Sequence, residues 1–271
     1  MDKRADSQYS LRVEKTQIYS KVGSGPDLLF LHGWQHDRHT WDGVVQYLKD
    51  DFTCWLVDLP GFGQNPRPKT VWNITNYAQW VGEFITEHQL KNPVVVGHSF
   101  GGRIAIVLTA EPVDNKNVTR STLHVSRLVL YATPGVRQPI SSFHSLAQAL
   151  YRGVKKTGIP ISQSKLFKKM QQKLRSQDYN QSGNMQDIFL ATINFDLEPY
   201  LSQIPTPTLL LWGENDAIVP LTIGHAMHQI IPESDMKVIP KTTHLAHLEQ
   251  PRLFSGYIRN FAGEAPSTKH Q

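Results

Sequence analysis

A serine between glycines follows directly on a run of β-branched residues. Residues 94–103 read VVVGHSFGGR, which places Ser99 at the centre of a G-x-S-x-G pattern. The valines predict a buried strand and the residues from Gly102 onward a helix, and between such elements this pattern holds a serine hydroxyl exposed on a tight turn. Side chains at the two flanking glycines would collide with the neighbouring strand and helix. We therefore expect Ser99 to be a nucleophile.

A serine hydroxyl is a poor nucleophile unless a base accepts its proton, and the base needs an acid to orient it. Two later loops, each following a predicted strand, supply these groups in the chain order serine, acid, histidine. Asp216 lies in the segment GENDAIVP and His244 in the segment TTHLAHLEQP. Glu214 and His247 are the alternatives within the same loops.

The elements that must position these residues follow from the apolar pattern. Short β-rich runs predict six strands, at Leu28 to Leu31, Thr53 to Val57, Val94 to Val96, Leu128 to Tyr131, Thr208 to Trp212 and Met236 to Ile239. Helix-period stretches lie between several of them, so the sheet should be mostly parallel with helices on both faces. Two further runs, Tyr9 to Val13 and Thr16 to Ser20, predict an antiparallel hairpin. The expected fold is α/β with an eight-stranded sheet.

One long segment interrupts this alternation. From Pro134 to about Ile204 the sequence has only amphipathic stretches, which predict a helical insertion, or lid, between two strands. We expect one domain over residues 1–271, with a core at about 9–133 and 205–263, the lid at about 134–204 and a polar tail at 264–271.

The charge of the predicted lid differs from that of the rest of the chain. Nine Lys or Arg residues and no Asp or Glu lie between Gly135 and Gln177; subtracting this +9 from the whole-chain charge of +5 leaves −4 for the remainder. Such a patch is either a solvated helical face or a docking surface for an anionic acyl carrier, such as coenzyme A or acyl carrier protein, or for an anionic membrane surface. The candidate binding residues are Lys165, Lys168, Lys169 and Lys173.

These motifs resemble the α/β-hydrolase superfamily over nearly the whole chain, from about Thr16 to Phe261. The resemblance assigns Ser99 as nucleophile, Asp216 as acid in a G-x-x-D-x-x-x-P loop and His244 as base in an H-x-x-x-x-E-x-P stretch. The glutamate spacing fits His244 and not His247. One departure is that Thr243 stands where the family often has glycine before its base.

Attack on a carbonyl places negative charge on oxygen, which two backbone N–H groups can stabilise. Phe100, directly after the nucleophile, should supply one. The other should come from the loop HGWQ after the strand that ends at Leu31, and the resemblance to the family's H-G-x motif assigns it to Trp34. His32 in this loop is then a structural hydrogen-bonding group, and the turn from Asp58 to Gly63 a scaffold.

The resemblance implies a serine hydrolase that cleaves carboxylic esters or thioesters through an acyl-enzyme. Epoxide hydrolases and haloalkane dehalogenases need a carboxylate nucleophile. The turn from Gly97 to Gly101, the elbow, has Ser99 in its place. A carbon–carbon bond hydrolase with the same triad and a non-catalytic ligand receptor on the same fold stay open. The HGW and Asp58 to Gly63 turns also resemble methylesterases that act on pimeloyl-carrier protein, whose elbow usually has Trp where His98 stands.

Composition sets the remaining expectations. The apolar fraction is 39%, and no apolar run reaches the roughly 18 residues that a membrane span needs. The start, MDKRADS, has no signal-peptide pattern, and the single cysteine, Cys54, fits a reducing compartment. Cys54 also falls within a predicted strand, where a thiol nucleophile is not expected. We therefore expect a cytoplasmic enzyme with a small ester substrate and with no cofactor, metal or nucleic-acid partner.

Overall fold

The computed structural model of the protein describes residues 17–110, 124–136 and 181–263, which are built around one seven-stranded sheet. Its strands are β1 (Tyr19–Val22), β2 (Asp27–Leu31), β3 (Thr53–Val57), β4 (Val94–His98), β5 (Arg127–Tyr131), β6 (Thr208–Gly213) and β7 (Ser234–Ile239). They lie side by side in the order β1-β3-β2-β4-β5-β6-β7. Only the β1–β3 pair is antiparallel among these neighbours.

All six strands predicted from apolar runs are confirmed. β4 and β7 extend two residues beyond the predicted runs, and β2, β5 and β6 extend one residue beyond them. The predicted run Thr16 to Ser20 is shifted, since β1 begins at Tyr19. The reason is the length of its partner, because Tyr19 pairs with Val57, the last residue of β3. The predicted first arm of the hairpin, Tyr9 to Val13, and thus the eighth strand, lies outside the described residues.

Helices cover both faces of the sheet, as predicted. The described α-helices are α1 (Asp42–Val45), α2 (Ile74–Glu87), α3 (Phe100–Ala110), α4 (Gln186–Ile193), α5 (Glu198–Leu201), α6 (Leu221–Ile230), α7 (Ala246–Glu249) and α8 (Pro251–Gly263). Residues of α2 through α6 belong to the hydrophobic core on one face. Residues of α1, α7 and α8 belong to the core on the other face.

The period of two along each strand divides its side chains between these cores. In β2, Leu29 and Leu31 join the α2 and α3 side, whereas Leu28 and Phe30 join the α1 and α8 side. All four side chains are fully buried. A central parallel strand covered on both faces is therefore apolar throughout, which explains why it appears in the sequence as a continuous run.

The structure describes the two ends of the predicted insertion, residues 134–136 and 181–204. The second end contains helices and turns and no strand, with a 3₁₀ turn at Gly183–Met185 before α4 and α5. The amphipathic stretches predicted within the insertion, its four candidate lysines and the polar tail all lie outside the described residues.

Parallel strands bring their carboxyl ends to one edge of the sheet, where α/β proteins bind ligands. At this edge β2 leads to the HGWQ loop, β4 to Ser99, β6 to the loop with Asp216 and β7 to the loop with His244. The connectivity of the sheet therefore accounts for the meeting of four segments that are far apart in sequence.

Candidate active site

Ser99 occupies a turn whose backbone is held in an unusual conformation. Its φ angle is 49°, in the left-handed region that a residue with a Cβ rarely adopts. A Cβ at Gly97 would lie 2.6 Å from the Gly102 Cα in helix α3, and one at Gly101 would lie 2.3 Å from the Leu31 carbonyl oxygen in β2. The predicted collisions with strand and helix are thus confirmed. Ser99 itself remains partly exposed at the end of β4.

Asp216 and His244 are joined by a hydrogen bond of 2.8 Å between the Asp216 Oδ2 and the His244 Nδ1. Both side chains are buried, with residue exposures of 6% and 8%. The other carboxylate oxygen accepts from the backbone N–H groups of Ile218 and Val219, each at 2.9 Å. Because a carboxylate only accepts, the His244 Nδ1 carries the proton, and in the neutral ring Nε2 keeps its lone pair.

The loop that carries His244 is fixed by two glutamates. Glu249 accepts from the backbone N–H of Thr243 at 2.8 Å and from its hydroxyl at 2.5 Å. Glu214 accepts from the backbone N–H of Lys241 at 2.8 Å and is exposed. Thr243 therefore contributes a second hydrogen bond to Glu249 that a glycine would lack, and Glu214 supports the loop while Asp216 bonds the histidine.

The alternative base, His247, has a different partner. Its side chain is fully buried, with Nε2 at 2.9 Å from the Thr40 hydroxyl and its ring 4.9 Å from that of Trp41. Burial lowers the pKa of His247 to about 3, so the ring is neutral near pH 7. Asp216 thus bonds His244, whereas His247 packs against Thr40 and Trp41.

The HGWQ loop after β2 is held through His32. Burial lowers the pKa of this histidine to about 4, so it is neutral, and its two nitrogens have fixed roles. Nε2 accepts from the backbone N–H of Leu59 at 3.0 Å, and Nδ1 donates to the carbonyl of Gly33 at 2.8 Å. Both partners are protein backbone, which agrees with the predicted structural role of His32.

The two residues predicted to donate their amides are neighbours. The rings of Trp34 and Phe100 are 5.1 Å apart, and the indole also packs against Phe62 and Phe189. The indole Nε1 donates to the Ser182 hydroxyl at 3.0 Å, which connects the HGWQ loop with the far end of the predicted insertion. The structure brings the Trp34 and Phe100 side chains together, and the role of their amides stays a prediction.

Arg103 is a connecting residue that the sequence interpretation missed. It follows Ser99 by one turn of α3 and donates to the carbonyls of Pro134, Thr192 and Phe195 at 2.7 to 2.9 Å. Burial lowers the pKa of the guanidinium to about 10, still charged at neutral pH. Helix α3 is therefore fastened to both described ends of the predicted insertion. An arginine within an otherwise apolar helix was the available signal.

Other side-chain chemistry is limited in the described ranges 17–110, 124–136 and 181–263. No group of three His, Cys, Asp or Glu residues there is arranged to hold a metal ion. Cys54 is buried in β3, and burial raises the pKa of its thiol to about 12, so it is not a thiolate at neutral pH. None of the helices in these ranges combines the length and apolar character of a membrane span.

Residues 26–251 match the family described as alpha/beta hydrolase fold, and the chain belongs to this family. The predicted superfamily and fold class are thus confirmed. YugF, an uncharacterized hydrolase of Bacillus subtilis (strain 168), is 29% identical over 263 residues, covering 92% of this chain and 95% of its own. A pimeloyl-[acyl-carrier protein] methyl ester esterase of Vibrio vulnificus (strain CMCP6) is 24% identical over 261 residues, covering 89% and 96%.

Solved structures agree on the fold. A thermophilic esterase from Thermogutta terrifontis superposes with a TM-score of 0.67 at 24% identity, covering 92% of this chain and 93% of that one. At this identity the likeness shows the architecture of the sheet and its helices. The chemistry of the site depends on the residues at the carboxyl edge of the sheet.

A buried ion pair next to the HGWQ loop yields a stability prediction. Asp58 is fully buried, forms an ion pair with the Arg38 guanidinium and accepts from the backbone N–H groups of Arg38 and Gln64, each at 2.8 Å. Asp58→Asn leaves the largely buried guanidinium without its counter-charge. We expect the free energy of unfolding, measured by urea titration, to fall on the order of 3 kcal/mol.

The matched control is Asp51→Asn, which breaks the half-exposed ion pair with Arg259. Exposed pairs contribute about 0 to 1 kcal/mol, so this change should be small. Equal losses in the two variants would contradict the structural importance assigned to Asp58.

Proposed function

We propose that the protein is a serine hydrolase that cleaves carboxylic esters or thioesters through an acyl-enzyme. The observation that carries the proposal is the buried hydrogen bond of 2.8 Å between Asp216 and His244, at the sheet edge where the strained Ser99 turn also lies. An oriented imidazole and a partly exposed serine at the same sheet edge are the groups that hydroxyl activation for attack requires.

In the proposed mechanism the Ser99 Oγ attacks the substrate carbonyl carbon while the His244 Nε2 accepts the hydroxyl proton. The backbone N–H groups of Trp34 and Phe100 donate to the oxyanion of the tetrahedral intermediate. Collapse breaks the bond to the alcohol or thiol, which leaves with the proton from His244. Water then attacks the acyl-enzyme with His244 again as base, releasing the acid and restoring Ser99. Asp216 orients the imidazole and stabilises the imidazolium that forms.

An acyl carrier is the substrate class that two observations favour. The segment between Gly135 and Gln177 carries nine basic and no acidic residues, and acyl carrier protein and coenzyme A are both anionic. The Vibrio relative is a pimeloyl-[acyl-carrier protein] methyl ester esterase by name. Those methylesterases usually have Trp at the elbow position that His98 occupies here. This chain is therefore not assigned to them directly.

Variants of three residues test the chemistry. Ser99→Ala and His244→Ala should each lower kcat for a p-nitrophenyl ester by roughly 10⁶-fold, because nucleophile and base act as a unit. His247→Ala should keep appreciable turnover, since its imidazole bonds Thr40. The measurement is steady-state kinetics on variants with native circular dichroism.

The opposite ranking of His244→Ala and His247→Ala would overturn the assignment of the base. A wild-type protein that binds the ester without an initial burst of p-nitrophenol or later turnover would instead be a receptor. Cleavage of vinylogous diketones in preference to esters would indicate the carbon–carbon bond hydrolase.

The salt dependence of kcat/KM tests whether the substrate is bound to an anionic acyl carrier. Attraction between exposed charges acts over about 8 to 10 Å near physiological salt, so kcat/KM for an acyl carrier protein ester should fall as ionic strength rises. A short neutral ester should be hardly affected. Replacing Lys165, Lys168, Lys169 and Lys173 with Gln should reproduce the selective loss and flatten the salt dependence.

The matched control removes four exposed lysines elsewhere, Lys21, Lys49, Lys69 and Lys91, in favour of Gln. This variant loses the same net charge and should retain most of the salt response. If kcat/KM depends on salt in the same way for carrier and neutral esters in the wild type and in both quadruple variants, the lid lysines form only a solvated surface.

A further inference from the structure

The turn that carries His244 is held by two buried side chains from neighbouring strands. The Tyr131 hydroxyl, at the end of β5, donates to the His244 carbonyl at 2.6 Å and accepts from the Ala246 backbone N–H at 2.5 Å. The His98 Nε2, at the end of β4, is 3.1 Å from the same His244 carbonyl. Two donors therefore converge on the backbone of the proposed base.

The same two residues are also connected to the nucleophile. His98 precedes Ser99 in the sequence. The Ser99 backbone N–H donates to the Tyr131 carbonyl at 2.9 Å. His98 and Tyr131 are register partners of β4 and β5, and their rings stack with centroids 4.7 Å apart and planes at 22°. Tyr131 thus holds the nucleophile through its backbone and the base through its side chain.

The protonation of His98 follows from its partner. A carbonyl oxygen only accepts, so Nε2 must carry the proton. Burial holds the pKa of His98 well below its usual range, which keeps the ring neutral and leaves Nδ1 without a proton. Nδ1 has no hydrogen-bond partner among the described residues, and a Cβ at Gly33 would approach it to 2.7 Å. The ring is therefore enclosed, with one useful donor aimed at His244.

We propose that His98 and Tyr131 are positioning residues that hold the His244 turn in register with Ser99 for the reaction. The inference rests on the proposed function and deepens it. Neither group makes a hydrogen bond to the imidazole itself. Tyr131 acts through the backbone to which the ring is attached, and His98 acts through that backbone and through its own ring, whose centroid is 4.8 Å from that of His244. Small displacements of a catalytic group can cost about 100-fold in rate, so the loss of either donor should be visible in kcat.

The neighbouring pair His247 and Thr40 provides a control that separates a positioning role from a contribution to stability alone. They form a side-chain hydrogen bond of 2.9 Å in the same cluster of rings, and His98 and His247 have centroids 4.9 Å apart. Their side chains make no hydrogen bond to the His244 backbone in the described part of the chain. Deleting this bond therefore removes comparable groups without releasing the turn.

The experiment compares two matched pairs of variants. Tyr131→Phe and Thr40→Val each delete one hydroxyl, and His98→Leu and His247→Leu each delete one buried imidazole. For a p-nitrophenyl ester, Tyr131→Phe and His98→Leu should lower kcat by roughly 10- to 100-fold with KM nearly unchanged. Thr40→Val and His247→Leu should lower the unfolding temperature to a similar extent and leave kcat within about threefold of wild type, on the same positioning argument.

A donor-retaining variant provides the rescue. In His98→Gln the side-chain amide can still donate toward the His244 carbonyl, so kcat should recover most of the loss seen in His98→Leu. The rate at which a fluorophosphonate labels Ser99 should follow the same order. If His98→Leu does not fold, Tyr131→Phe against Thr40→Val decides the question by itself.

The outcomes separate this inference from the proposed function. Full activity in Ser99→Ala or His244→Ala overturns both. If those variants are inactive but Tyr131→Phe and His98→Leu turn over like the wild type, only the positioning role fails. It also fails if kcat falls equally in all four variants of the matched pairs, because the effect is then one of stability.

Discussion

A serine held at a φ of 49° has unfavourable contacts between its Cβ and the neighbouring carbonyl, and backbone strain of this kind costs on the order of 1 to 3 kcal/mol. The surrounding sheet offsets that cost. The Ser99 N–H is bonded to β5, while Gly97 and Gly101 allow β4, α3 and β2 to approach within distances that no side chain would permit. The strained and partly exposed position of Ser99 is thus a consequence of packing in the centre of the sheet.

The loops that complete the site depend on side chains for their shape. The segment from Lys241 to Leu245 lies between β7 and α7, so its backbone groups need hydrogen-bond partners other than those of a helix or a sheet ladder. Glu214, Glu249, Tyr131 and His98 provide them, from the acid loop, helix α7 and two strands. The proposed base is therefore oriented before any substrate arrives, which lowers the reorganisation that reaction would otherwise require.

Much of this architecture could be predicted because its signals are local in sequence. Buried parallel strands are continuous apolar runs, and the elbow needs glycines at fixed spacing, so the six strands and the Ser99 turn were recognisable. The pairing of Asp216 with His244 followed from the family resemblance and from the order of the two loops along the chain. The start of β1 was misjudged because its length is set by β3, a distant partner.

The contacts that the sequence did not reveal are long-range and made by ordinary residues. Tyr131 was recognised only as the end of a strand, since nothing local indicates that its hydroxyl meets a turn 113 positions away. Asp58 was predicted to belong to a scaffold turn, but its partner Arg38 begins a 3₁₀ helix 20 positions earlier. Such residues become visible only when the fold has brought the loops together.

The central claim is that Ser99 is the residue that becomes acylated. Reaction of the wild-type protein with a fluorophosphonate, followed by proteolysis and mass spectrometry, tests it directly because the reagent phosphonylates activated serines. We expect one adduct per chain, located on Ser99, with esterase activity lost in proportion to labelling. An adduct on another residue that abolishes activity while Ser99 stays unmodified would contradict it.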